Sequence, residues 1–215
     1  MSNSEASNDK QIVFDLKSDG LDVAQQALED EDILHALIES LGDSKRRIRQ
    51  FSAAALRQVA VLEPERLIDF SEDLVDALYR PEAQTRWEIL ETLVRICEVN
   101  SESAGDGFEA AQDALYDETS GTLRLAAFNY FVHLGTLSEK WSEKVWPLID
   151  ESLQVYHGDT EFPDMLTALF YFTKGDISDE VRQGIVDRLD FDAIQGKGYI
   201  QKQSQAIIDE INKDK

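Results

Sequence analysis

One cysteine, four prolines and only 21 basic residues against 43 acidic ones set the first limits on this 215-residue chain. A lone Cys97 forms no intrachain disulfide and leaves no cysteine zinc site, a usage that fits a reducing, intracellular compartment. The shortage of Lys and Arg leaves a formal charge of -22, which opposes adsorption to phosphate backbones and anionic lipid. Nucleic acid and membranes are therefore not expected as partners. No run approaches the ~18 apolar residues of a membrane span, and Met1 to Asn8 lacks the basic-then-apolar order of a signal peptide. Residues 1–11 read as a disordered tail, and a cytoplasmic location is expected. Catalytic signatures are missing as well: there is no HxxxH, no Gly-rich phosphate loop and no nucleophile elbow. Gly196, Lys197 and Gly198 lack the flanking glycine and Ser or Thr of a phosphate cradle and read as a turn. No catalytic residue, metal site or cofactor is assigned.

What the chain has is a period. Leu41, Leu78, Leu115, Leu153 and Leu189 stand 37, 37, 38 and 36 residues apart, each followed by a second helical pattern. Spacing of this size marks stacked repeats, here of two helices each, A then B. Four residues before each leucine stand Leu37, Leu74, Ala111, Ile149 and Ile185, so each helix A has one apolar, inward face. Two residues before it stand Glu39, Asp76, Asp113, Glu151 and Asp187, rotated about 160° away at ~3.6 residues per turn, an outer acidic ridge. The position just before the leucine is small in four copies, Ser40, Ala77, Ala114 and Ser152, and Arg188 in the fifth. Counted from Arg49, Arg86, Arg124 and Phe162, taken as the starts of helix B, apolar residues recur at plus four, seven and ten. Pro64 and Pro147 are expected near starts of helix A and Trp141 in the connection before one, while Trp146 takes a core position. The repeats are expected over about 33–68, 69–105, 106–143, 144–179 and 180–213. An arm with Ile12, Val13, Phe14 and Leu16, then a helix from Leu21 to Glu29, caps the front over 12–31, and Ile200 to Ile211 closes the other end.

The segment Leu37 to Leu62, LIESLGDSKRRIRQFSAAALRQVAVL, resembles a HEAT repeat: paired leucines, an aspartate after helix A, an Ile-Arg pair and a small-residue helix start. Asp43 with Arg49, and Asp117 with Arg124, match that family's Asp and Arg positions; copy two keeps only Arg86 and copy four has neither. The resemblance, strongest in the first three copies, implies an all-α fold, a right-handed superhelix of about five helical hairpins, with helix B lining the concave side. It implies little about function, since HEAT-like families include scaffolds, lyases and DNA glycosylases.

On that concave side plus five holds Ala54, Glu91, Asn129 and Thr167, and plus nine holds Gln58, Arg95, His133 and Tyr171, opposite the apolar stripe. In register these form a polar ladder, expected to bind a protein segment, with Trp87 as an aromatic anchor. Among three histidines, His133 is the acid-base candidate, with Glu91 or Asn129 as the groups able to approach it. Lys45, Arg46 and Arg47 form a basic cluster at the first A-B turn, expected either to pair with Glu29 to Asp32 or to dock an anion or acidic partner. The reading that follows is a non-catalytic scaffold or adaptor; its alternative is a HEAT-like enzyme, glycosylase-like or lyase-like, which the net charge disfavours.

Overall fold

The structure, a computed structural model, describes residues 12, 14–18, 20–103 and 105–213. The tail at 1–11, and Val13 of the arm, lie outside the described residues. Regular structure among the described residues is helical throughout. Helix α1 (Gly20–Glu29) precedes five hairpins. The first pairs α2 (Glu31–Ser40) with α3 (Arg46–Leu62). In the second, a 3-10 stretch (Pro64–Phe70) runs into α4 (Ser71–Ala77), which pairs with α5 (Ala83–Val99). The third is α6 (Phe108–Leu115) and α7 (Gly121–Gly135), the fourth α8 (Glu139–Val155) and α9 (Phe162–Phe172), the fifth α10 (Asp179–Gln195) and α11 (Gly198–Asn212).

Local chemistry sets several starts. Asp30, Ser120, Ser138 and Ser178 are N-caps whose side chains accept from Asp32, Leu123, Trp141 and Val181 backbone N–H groups. The repeat slots then assemble the core. All five repeating leucines and all five residues four before them are buried, and all five acids two before are exposed. The twelve apolar residues of the four B stripes, from Ala53 to Phe172, are buried too. Each hairpin thus buries its stripe against its neighbours, as a stack requires. Helix α1 packs on α3, and α3, α5, α7, α9 and α11 pack on one another in sequence. Along the A row the packing is looser: α8 packs on α10, and α6 meets α8 where the Phe108 and Trp141 rings stack with centres 6.3 Å apart. The B row is therefore the tighter, inner side and the A row the splayed, outer side. In the front arm Phe14 packs on Phe51, with ring centres 5.8 Å apart.

Several sequence expectations need correction. Arg49, Arg86 and Arg124 are not the first residues of helix B but sit three residues further in, because Lys45, Glu82 and Ser120 take the cap positions. Only α9 starts at the counted residue: the Tyr156–Glu161 turn and Pro163 replace its first turn, leaving 11 residues where α3 and α5 have 17. Pro64 does open its element, but Pro147 lies in the middle of α8, which the Ser138 cap starts earlier. Trp141 is consequently in the first turn of α8 rather than in a connection. Trp146 is half-buried, at the seam with α10, where its indole closes over Gly184.

The seam between hairpins also differs from the Asp-Arg pairing within one copy. Arg49 donates to the backbone carbonyl of Asp43 at 2.6 Å, but its ion pair is with Glu82 of the next hairpin. Arg124 repeats this, donating to the Asp117 carbonyl at 2.9 Å and pairing with Glu161. Arg86 reaches the Asp117 carboxylate at 3.4 Å. Arg49 and Arg124 thus tie their own A-B turns to the following ones, while Arg86 reaches only the following turn. Arg49 and Glu82 are both buried. Burial pushes the Glu82 carboxyl up, but the Arg49 hydrogen bond, with backbone and charge contributions, outweighs it and leaves the group below its usual range. Copy four has lost the arginine but not the acid, which Glu161 supplies.

Candidate functional site

The B helices present their polar residues along the inner row, and the structure gathers them in two groups. Between α7 and α9 lies a groove of about 390 Å³. Leu125, Val132 and Ala168 give it apolar lining; Asn129, His133, Asp164, Thr167 and Tyr171 complete it. The His133 and Tyr171 rings lie 4.8 Å apart, tilted by 35°. Thr167 shares a 2.8 Å hydrogen bond with Tyr199, so α11 borders the same region. Plus-five and plus-nine slots of adjacent hairpins are therefore spatial neighbours here.

The second group joins α3 to α5. The Arg57 guanidinium bonds Glu88 at 2.5 Å, approaches Glu91 at 3.4 Å and lies 5.9 Å from the Trp87 ring centre. Burial raises the carboxyl pKa of both Glu88 and Glu91, with Arg57 opposing. Trp87 is half-buried under this cation, and Gln58 is half-buried on α3. Arg95 is exposed and bonded to Glu98 at 3.3 Å, and Glu98 in turn lies 3.9 Å from His133 Nδ1. The carboxylate beside His133 is thus Glu98, not Glu91. Counting only plus five and plus nine passed over plus twelve, the slot one turn further along α5 that reaches diagonally to the next hairpin. Burial lowers the His133 pKa, Glu98 works against that, and Arg95 adds to it. His133 thus stands beside the Glu98 carboxylate and the Tyr171 ring, an arrangement able to exchange hydrogen bonds.

Asp164, Glu98, Leu125 and Val132 were missed from sequence. Their signal is periodic: they fill plus two, twelve, one and eight, the slots that flank the two counted ones on the same helical face. Cys97 is buried, and burial pushes its thiol up to about 12, which makes it inert core. Lys45, Arg46 and Arg47 are exposed and make no ion pair among the described residues. Of the acids expected to pair with them, Asp30 caps α2 and Glu31 takes Arg66 instead. Gly196 and Lys197 form the α10–α11 turn, and Gly198 there has a φ of 61°, a left-handed conformation suited to glycine. Among the described residues no three His, Cys, Asp or Glu side chains are placed to hold a metal ion, and no helix is long and apolar enough to cross a membrane.

No protein-family model matches the chain, and no curated protein matches it at a significant level. Solved structures do. A designed armadillo repeat protein in complex with the peptide (KR)4 superposes with a TM-score of 0.71 at 17% identity, over 92% of this chain and 89% of that one. An engineered protein gives 0.69 at 15% identity, over 90% and 89%. The archaeal HEAT-like repeats protein from Thermococcus onnurineus NA1 gives 0.58 at 15%, over 92% and 77%. Five stacked hairpins, a shared register of buried leucines and these superpositions agree: the chain has the armadillo and HEAT-like α-solenoid fold.

Proposed function

We propose that the protein is a non-catalytic scaffold that holds an extended, basic protein segment along its inner B face, anchored in the α7–α9 groove. The observation that carries this reading is that two hairpins bring apolar lining, an aromatic wall and a carboxylate to one place. A lysine or arginine stem packs on Leu125, Val132 and Ala168 while its charged head meets Tyr171 and Asp164. Asn129 offers both a donor and an acceptor to the segment's backbone. Among the described residues no Lys or Arg lines the groove, and the charge of -22 favours a cationic occupant over an anionic one. The designed armadillo protein that holds (KR)4 is a stack of the same fold with such a peptide.

The test is fluorescence anisotropy with labelled (KR)4 at about 0.15 M salt, where long-range attraction is screened beyond ~8 Å. Asp164→Asn with Tyr171→Ala should weaken binding about tenfold or more, equivalent to ~1.4 kcal/mol. Arg95→Ala, which removes a cation from the same face, should strengthen it. Equal affinity of the double variant and the native chain would dismiss the groove as the anchor.

A further inference from the structure

The outer A face carries a ridge of exposed acids, one per hairpin, and in the last two copies exposed apolar side chains stand beside it. The slot two residues after the repeating leucine holds Asp43, Arg80 and Asp117 in the first three hairpins, then Val155 and Phe191. Val155 is 57% exposed, Phe191 71%, and Ile194, one turn beyond on α10, 59%. Helix α8 packs on α10, so Val155 and Phe191 occupy matching slots on adjacent helices, and Gln154 and Phe191 border one hollow. At ~100° per residue this slot lies about 200° from the buried leucine, so the patch points away from the core and from the inner B face. Large exposed apolar groups in matching slots of two packed helices mark an interaction surface.

We propose that Val155, Phe191 and Ile194 form a second docking surface, for an amphipathic helix of another protein whose apolar stripe is bordered by Lys or Arg. Charge decides the occupant. Exposed Glu151, Asp187 and Asp190 surround the patch. The two arginines of α10 are already engaged, Arg188 with Asp150 and Arg182 with the Thr173 carbonyl. A second copy of this chain would set the same acids face to face at close range, which repels. A basic amphipathic helix supplies both complements, an apolar stripe for the patch and cations for its rim.

The probe is a labelled 14-residue Leu/Lys peptide patterned as an amphipathic helix, with a scrambled peptide of identical composition as control. Anisotropy at physiological salt should show the patterned peptide binding at least tenfold tighter than the scrambled one. Phe191→Ser with Ile194→Ser should remove that preference, while Asp164→Asn with Tyr171→Ala, on the other face, should preserve it. That last arm separates this surface from the proposed groove. Retention of the preference by the Phe191/Ile194 variant, or no preference in the native chain, overturns the proposal. So does sedimentation showing a native dimer that the same variant dissolves, since a second copy would then be the occupant.

Discussion

Hairpins one to three and hairpins four to five solve the same stacking problem with different chemistry. In the first region a buried or half-buried arginine of each hairpin reaches the next A-B turn: Arg49 to Glu82, Arg86 to Asp117, Arg124 to Glu161. In the second the slot belongs to Phe162, which packs under His157 with ring centres 4.7 Å apart, while the half-exposed His157 bonds the buried Asp192 at 3.0 Å. The polar tie between α8 and α10, Arg188 with Asp150, is also partly open to solvent. A pair buried on both sides constrains geometry strongly but leaves a costly orphan when halved, whereas aromatic packing with pairs that keep one or both partners open to solvent tolerates loss better. The first region is thus built for precise register and the second for tolerance.

The sharpest way to break this comparison is Arg49→Ala. It strands the Glu82 carboxylate in a buried site, so chemical denaturation should show a loss of about 3–5 kcal/mol. Replacing both partners with apolar residues, Arg49→Met with Glu82→Leu, should recover most of it; no recovery would mean that the pair contributes more than the removal of an orphan charge. Next in size is the junction between the regions. A Cβ at Gly135 would fall 2.5 Å from the Phe172 ring and 2.6 Å from Val145, so Gly135→Ala should cost about 1–3 kcal/mol by overpacking. A neutral result there would show slack between hairpins three and four. Smaller still is Arg188→Ala, whose partners are roughly a quarter to a third exposed; at most about 1 kcal/mol should be lost in the same denaturation series. A loss matching that of Arg49→Ala would erase the distinction between the regions.

The smallest effect is in pH. Burial holds the folded His133 below its ordinary value of 6.5, so the unfolded chain takes up the proton first as pH falls. Stability from His133 is therefore whole above about 6.5 and declines as pH drops toward the folded value. Glu88 and Glu91, raised by burial, act the other way, since their folded forms protonate early. The difference between native chain and His133→Gln, read from urea midpoints at pH 7 and 5, isolates the histidine; a larger slope in the variant would reverse the sign argued here.

Much of this protein was legible without coordinates, and the reason is its period. A residue repeated every 36 to 38 positions meets the same surroundings each time, so one helical projection identifies the core face and the acidic ridge for all five hairpins and the inner polar row for four of them. Asn129, His133, Thr167 and Tyr171 could be named in this way because their neighbours lie one copy away. Three things required the fold. Periodicity gives no distances across a seam, so nothing in it linked Arg49 to Glu82, its charge partner in the next hairpin. It cannot locate a helix start set by a cap, hence the misplaced Pro147 and Trp141. Nor does it rank slots on one face, so Glu98 and Asp164 emerged only when packing brought α5 to α7 and α7 to α9. Repetition along the chain determined which residues are equivalent; only the close approach of neighbouring helices decided which of those equivalents touch, because contact depends on side-chain reach and burial as well as on register.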